Sequence, residues 1–501
     1  MNNEALTTNL PEDFSSLKDV VVAQQEEIAY LKEQVKLLTH RLFGKKSEKS
    51  KAPENQPDLF DDIEEEIVEP IAEEKEVTVT YKRKKHNRKL PEDLPRETIH
   101  HDLTAEEKVC ECGCELQKIG EDKYEQLEYI PAQIKVLEHI KAKYACKACE
   151  GNVKTAQAPK QPIPKSIATP GLLSQIIVNK YNHHLPLYRQ EKILSQIDID
   201  LSRATLSNWI FKCSELLRPL AGLFLEYILK SGYAQVDETT VNVLSDKERS
   251  NSYMWVAMAG PPGKKAVYFR YSPSRSQEVA SNLLAGFEGF LQTDGYGGYN
   301  DLRKEEEITS LGCWSHVRRK FFEITKISKK AGAAHAAVSI IDKLYKIERY
   351  IRGANLSIDE IKNYRQEHSA PIINKFKQWL DKNISRTPPK GALGKAINYA
   401  VNQWQYLTIY IEDGRLEIDN NSVERMIKPF ALGRRNWLFC GNKKGAKASA
   451  VLYSIMQTCL VNNIDPYKYF RFVLTEIPNA NAGDKRDLEK FLPWNFKEQN
   501  I

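Results

Sequence analysis

Phe14, Leu17, Val21, Ile28, Leu31, Val35, Leu38 and Leu42 recur at alternating three- and four-residue steps, interrupted only by Gln24. Four heptads with one polar seam position predict a short coiled coil over 14–44, in which the glutamine can help fix register. The competing reading is an amphipathic helix folded against its own domain. Between 110 and 149 an alternating stretch, EQLEYIPAQIKVLEHIKAKYA, predicts a β-hairpin or two strands. A proline-rich linker, APKQPIPKSIATP, runs to Pro170. The period then turns helical, with GLLSQIIVNKYNHHLPLYRQEKILSQ and LSRATLSNWIFKCSELLRPL separated by IDID. Ser202 is a good N-cap for the second of these, which opens with Arg203, Thr205, Ser207 and Asn208. Two tightly joined helices of this kind suit a helix-turn-helix over 170–230, and plain helical packing suits them equally.

From Tyr233 the texture changes to short β-rich runs: YAQVDETTVNVL, NSYMWVAMA, AVYFRYS, GFLQTDGY and ITSLGCW, with the helical SRSQEVASNLLAGF between the third and fourth. Strand, strand, strand, helix, strand, strand is the order of an RNase H-like fold. Residues 315–410 then read as almost wholly helical before DNNSVERMIKPFALGRRNWLFCGN at 419–442.

Composition adds compartment and partner. A chain of 501 residues is too long for one core. No run approaches the roughly 18 apolar residues of a membrane span, and MNNEALTTNL lacks the order of a signal peptide. A cytoplasmic protein with no membrane partner is expected. Five of nine cysteines cluster at Cys110, Cys112, Cys114, Cys146 and Cys149, which in a reducing compartment reads as metal binding. The net charge of +6 means less than its distribution. Nine acids against one lysine at 61–76, then six Lys or Arg at 82–89, predict a charged, unstructured linker over 45–100.

The candidate chemistry lies in three carboxylates. Asp237 ends the run Ala234-Gln235-Val236, Asp294 follows Gly289–Thr293, and Glu424 lies near the start of a helix capped by Asn420 or Asn421. Adjacent strand ends and a helix first turn can converge on two Mg²⁺ ions about 4 Å apart, suited to phosphodiester chemistry. Glu238 and Asp419 compete for the same roles on spacing alone. The glycines of DGYGGYN allow close backbone approach, and Lys428, Arg434 and Arg435 follow Glu424 on a basic surface, which points with Arg203 to DNA phosphates.

QVDETTVNVL, TDGYGGY, GCWSHVRRKFF, DNNSVERMIKPFALGRRNWLFCGN, NNIDPYKYFRFVL and FLPWNF resemble, in order, the DDE transposases of the insertion sequence 66 family. LFGKKSEK and IGEDKYEQLEYIPAQIKV extend the resemblance over nearly the whole chain. It implies that Asp237, Asp294 and Glu424 are catalytic and hold Mg²⁺, and that the helical segment at about 317–410 is an insertion before the glutamate. Cys313 and His316 match a C-x-x-H element, with packing of the strand favoured over chemistry. The family's C-x-x-C on each side of the hairpin, a zinc-ribbon-like site, is C-x-C-x-C here. That assigns Cys110, Cys112, Cys146 and Cys149 to Zn²⁺, with Cys114 as the substitute.

The expected architecture is multidomain α+β. A coiled coil at 14–44 and the linker lead to a zinc-ribbon-like β module at 101–160 and the helix-turn-helix at 170–230. An RNase H-like core at 231–455 with an all-helical insertion follows, then a helical extension at 456–501. The expected function is binding of terminal inverted repeats, then Mg²⁺-dependent 3′-end cleavage and strand transfer into target DNA. The enzyme would be a homo-oligomer through the coil, with element-encoded helper proteins as further candidate partners. A catalytically silent DNA-binding regulator and a nuclease on the same scaffold are the alternatives.

Overall fold

The computed structural model describes residues 14–43, 97–99, 126, 134–144, 154–245, 251–327, 332–480 and 485–497. Helix α1 (Phe14–Phe43) covers the heptad run, and Val21, Ile28, Leu31, Val35 and Leu38 of its seam stand exposed. Residues 48–157 form a unit of their own. Its described part contains β1 (Lys143–Tyr144) and β2 (Lys154–Thr155), paired antiparallel. Among the described residues, the expected strands between 125 and 145 are reduced to β1, whose partner lies beyond the second cysteine pair. Cys110, Cys112, Cys114, Cys146 and Cys149 lie outside the described residues, as does the charged linker at 45–96.

Three helices precede the sheet: α2 (Pro170–Tyr181), α3 (Leu187–Ser195) and α4 (Arg203–Leu229). Thr169 caps α2 and Ser202 caps α4, each side chain accepting a backbone N–H of the first turn. Leu206, Trp209, Ile210, Cys213, Leu217, Leu220 and Phe224 recur at helical spacing and bury one face of α4.

The sheet follows the β-rich runs closely. Strands β3 (Tyr233–Val241), β4 (Ser252–Ala259) and β5 (Ala266–Ser272) are antiparallel neighbours. Helix α5 (Gln277–Leu283) crosses to β6 (Gly289–Gln292), parallel to β3, and β7 (Ile308–Leu311) is parallel to β6. The sheet order is β5-β4-β3-β6-β7, so the first strand in sequence is central. Met254 to Ala259 are buried without alternation, the pattern of a strand covered on both faces.

Five helices and a short sixth then leave the sheet: α6 (Trp314–Ile327), α7 (Ala333–Gly353), α8 (Ile358–His368), α9 (Ala370–Ile384), α10 (Ala392–Asn402) and α11 (Trp404–Leu407). They enclose a second core around Trp314, Phe321, Ile341, Phe376 and Ile397. The chain leaves this bundle over a buried ion pair. Arg365 Nη2 lies 2.7 Å from Glu348 Oε2, and its Nη1 donates to Tyr410 O at 3.1 Å and Leu416 O at 2.8 Å. A planar guanidinium can thus fix both a carboxylate and the turn that returns to the sheet.

Helix α12 (Asn421–Trp437) lies against β3, and α13 (Lys443–Val461) against β5. Two more helices, α14 (Pro466–Glu476) and α15 (Lys485–Glu489), end the described fold. Ser454 and Thr458 of α13 and its C-cap Asn462 accept the N–H groups of Phe269, Val267 and Lys265 at 2.8, 3.0 and 2.9 Å. Four helical residues rise about 6 Å and two strand residues about 6.7 Å. The two spacings therefore match, and one helix face covers the outer edge at Lys265, Val267 and Phe269. Such a covered edge cannot pair with another chain.

The expected boundaries near 230 and 455 are not breaks in packing. Leu173, Phe224, Val236, Phe430 and Phe470 belong to one continuous hydrophobic core, and α13 runs through residue 455. No helix among the described residues is long and apolar enough to cross a membrane.

Candidate active site

Tyr233, Ala234 and Gln235 of β3 stand opposite Phe290, Leu291 and Gln292 of β6 in parallel register. Asp237 lies two residues further along β3, on the face of Gln235, and Asp294 lies two residues past Gln292, where β6 has ended. On that face Gln235 Oε1 accepts the Val423 N–H at 3.2 Å, which docks the first turn of α12, and Glu424 with it, onto β3.

The dock is a buried amide network. Gln235 Nε2 donates to Gln292 Oε1 at 2.7 Å and to Asp419 O at 3.1 Å. Gln292 Nε2 donates to Gly312 O at 3.1 Å and Glu417 O at 2.8 Å, and Asn420 Nδ2 to Val236 O at 3.1 Å. Asn420 occupies the expected N-cap position of α12, but its side chain makes no capping hydrogen bond. Asn420 turns inward to the sheet, and Asp419 Oδ1 accepts the Asn421 N–H instead. Amides suit this position because each offers donors and an acceptor without a charge to desolvate. The signal was in the sequence, in Gln235-Val236-Asp237 and Gln292-Thr293-Asp294, two Q-x-D steps at strand ends.

The three carboxylates share one field. The Asp237 carboxyl is held well above the ordinary carboxylate range, first by burial, then by Glu238, and further by Asp294 and Glu424. Its Oδ1 accepts the Glu238 N–H at 2.8 Å, and Asp294 Oδ1 accepts the Tyr296 N–H at 2.9 Å. Glu424 Oε1 is buried with no hydrogen-bond partner. Such an orphaned acceptor between like charges calls for a cation.

The competing carboxylates are committed elsewhere. Glu238, on the opposite face of β3, pairs with Arg275 and accepts the Tyr299 hydroxyl at 2.5 Å. Asp419 accepts from Tyr345 at 2.8 Å and from Asn421 Nδ2 at 2.9 Å. Glu417 accepts from Ser422 at 2.5 Å.

Arg275 stacks 3.5 Å from the Tyr296 ring centroid, and the Tyr296 hydroxyl donates to the Arg275 carbonyl at 2.9 Å. Arg303 Nη2 donates to Asp294 O at 2.8 Å, so the loop carrying Asp294 is pinned on two sides. The insertion also reaches it. A Cβ at Gly295 would stand 2.7 Å from the Tyr399 hydroxyl of α10, so no larger residue fits beneath that ring.

Cys313, His316 and Glu424 present ligand atoms within 4.8 Å of one another. His316 Nδ1 lies 3.8 Å from Glu424 Oε1, and Arg319 Nη2 lies 3.8 Å from Oε2. Cys313 accepts the Asn420 N–H at 3.3 Å, and burial pushes its thiol up to about 12. Cys313 is buried, whereas His316 is half-buried and stands at the carboxylate itself. Burial lowers the imidazole, and Glu424 opposes that shift.

The expected DNA contacts differ in setting. Arg203 is exposed at the start of α4, with its N–H donated to Glu191 at 2.8 Å, and Lys428 and Arg435 are exposed on α12. Arg434 is half-buried and holds β3 through Thr240 O and, at 2.7 Å, Thr240 Oγ1.

Comparison with known sequences finds matches along most of the chain. The profile described as "Transposase IS66 family" matches residues 165–448. Those for "Transposase C of IS166 homeodomain", "zinc-finger binding domain of transposase IS66" and "IS66 C-terminal element" match 30–99, 107–150 and 454–494. Among proteins of Sinorhizobium fredii (strain NBRC 101917 / NGR234), uncharacterized protein y4jD is 33% identical over 98% of each chain. Uncharacterized protein y4qI is 31% identical over 100% of this chain and 95% of its own. Uncharacterized protein y4hP is 30% identical over 94% of this chain and 89% of its own.

Proposed function

The chain belongs to the IS66 family of transposases, and from that premise we propose that it cleaves and joins DNA at the ends of its own element, with Asp237, Asp294 and Glu424 as its metal-holding carboxylates. The observation that carries this reading is the convergence of three carboxylates from β3, the β6 exit and α12, with Asp237 raised by burial and by its neighbours. A central first strand with an antiparallel neighbour on one side and a parallel one on the other, β4 alone running against the other four strands, supports an RNase H-like core.

The donor set fits hard divalent cations. It is all oxygen, and Glu424 Oε1 has no hydrogen-bond partner, with His316 and Arg319 no nearer than 3.8 Å to its carboxylate. Asp237, Asp294 and Glu424 would hold a pair of Mg²⁺ ions, which when bound supply activation of the attacking oxygen and neutralise charge on the leaving oxygen. The chain's own part is orientation. Gln235 and Gln292 fix α12 to the strand ends, while Arg303 and Tyr296 fix Asp294. Arg319 and His316 steer the Glu424 carboxylate. Water, and then the freed 3′-hydroxyl, attacks the phosphodiester in line, and no enzyme nucleophile is required. Arg203, Lys428 and Arg435 are exposed cations suited to phosphates of the terminal inverted repeats and of target DNA, whereas Arg434 positions β3. The zinc-finger match over 107–150 supports a structural Zn²⁺ held by Cys110, Cys112, Cys146 and Cys149, with Cys114 as the substitute for one of the first pair. The exposed seam of α1 supports self-association through a coiled coil.

The test is Glu424→Gln, assayed for end-specific cleavage of labelled element DNA in Mg²⁺ beside a gel shift on the same preparation. Binding should persist while cleavage falls by about a thousandfold or more, because a lost ligand misplaces an ion that stabilises the transition state. Near-normal cleavage would make Glu424 an ordinary surface carboxylate. Asp237→Asn and Asp294→Asn should match it, and the losses should not add.

A further inference from the structure

At the end of α12 remote from Glu424 the chain makes a turn that the carboxylate cluster does not use. The Leu438 N–H donates to Arg434 O at 2.7 Å, and the Phe439 N–H donates to Trp437 O at 2.8 Å. With Leu438 at φ 62° and ψ −45°, this is a γ-turn of the rare, strained hand. A residue with a Cβ resists positive φ, and helices commonly place glycine there. The strain is held from outside: the Cys440 N–H donates to Asn242 O at 2.8 Å and the Leu244 N–H to Cys440 O at 2.9 Å.

What the turn displays is apolar. Leu438 is 64% exposed, Phe439 46% and Leu244, carried alongside by the Val243–Cys440 bridge, 50%. Close to the turn along the chain, Arg435, Lys443, Lys444 and Lys447 are all exposed. No carboxylate occurs anywhere between Glu424 and Asp465. An apolar tip in a cationic field does not suit a second copy, which would oppose the same cations to themselves. It suits a polyanion that also has apolar faces to offer.

We propose that the Leu438–Phe439 turn, with Leu244 beside it, is a platform for unstacked nucleobases of the DNA on which this chain acts. Phosphates engage the cations, and a base freed from its stack finds an apolar surface of its own kind. The strained backbone then has a use, since it keeps the leucine side chain directed outward where glycine would be the relaxed choice. The inference rests on the proposed action on DNA.

The test compares binding of the full chain, by fluorescence anisotropy, to a matched duplex and to the same duplex with a central run of mismatches. A 2-aminopurine in that run reports unstacking. Wild type should prefer the mismatched duplex about tenfold, with a rise in 2-aminopurine emission. Leu438→Gly should melt at a higher temperature yet lose part of the preference. Leu438→Gly with Phe439→Ser should lose it all, while affinity for the matched duplex stays within about twofold, because that affinity comes from cations. A double variant that keeps the preference overturns the platform and leaves the transposase reading standing. A lower melting temperature for Leu438→Gly overturns it too, by assigning the side chain to packing. So does a double variant whose chief change is a smaller mass in light scattering, which assigns the turn to self-association. Wild type with no affinity for either duplex overturns both readings.

Discussion

Asp237 bears the sharpest electrostatic conflict among the described residues. Its carboxyl keeps its proton to higher pH in the folded chain than in the unfolded one, chiefly because it is buried and then because Glu238, Asp294 and Glu424 surround it. A raised folded pKa gives stability that is fully present below the unfolded value near 3.8 and is lost as pH rises through the folded value. Metal-free protein therefore carries more of the penalty at pH 8 than at pH 4. Asp237→Asn in chelator should show a higher Tm than wild type at pH 8, and the gain should vanish near pH 4. Added Mg²⁺ should raise the Tm of wild type and leave the variant nearly unmoved. Equal Tm values for the two chains in chelator at pH 8 would refute the conflict. Control substitutions must also respect contacts. Glu417 lies outside the matching motif but accepts from Ser422 beside Glu424, so Asp301→Asn, in an exposed pair with Lys304, is the cleaner control.

At the scale of elements, type and order were legible and docking was not. YAQVDETTV, SYMWVAMA and AVYFRYS became strands where β-branched and aromatic residues clustered. Ser202 capped α4 because a serine oxygen reaches the third amide of the turn. Nothing local in Ser454, Thr458 and Asn462 distinguishes them from solvent-facing polar residues, because their partners lie nearly 200 residues away in β5. Their worth is testable. Ser454→Ala with Thr458→Val should leave the Phe269 and Val267 amides buried without partners, at about 1–3 kcal/mol each. The urea midpoint should fall accordingly, and an unchanged midpoint would mean that water or a shifted helix replaces both bonds.

At the scale of the whole molecule, two predictions concern assembly and metal. An exposed apolar seam four heptads long is costly on a lone helix in water, so Leu31→Pro with Leu38→Pro should lower the mass measured by light scattering. An unchanged mass would locate assembly elsewhere. Elemental analysis should find about one Zn²⁺ per chain, lost after Cys146→Ser with Cys149→Ser, since four sulfur ligands close a tetrahedral site. Full zinc in that double variant would remove the cysteine assignment. Domain division was less legible than element type, because α4 and α13 each join stretches that composition separates, and a shared core leaves no trace in local pattern.

The sequence by itself determined the helical and extended stretches, the sheet's strand order of appearance, the family, and the candidacy of Asp237, Asp294 and Glu424. Periodicity, cap chemistry and motif are properties of neighbouring residues, so they can be read along the chain. Only the tertiary structure decided which carboxylates remain uncommitted. Glu238 and Asp419 are withdrawn by Arg275, Tyr299, Tyr345 and Asn421, while Glu424 keeps a buried oxygen without a hydrogen bond. Only the fold, likewise, turned Gln235 and Gln292 into the dock for α12, Arg434 into a brace for β3, and Leu438 into an exposed, strained tip. The physical reason is the same in each case. Desolvation, pairing and backbone strain depend on what lies across space from a residue, and that is fixed by packing.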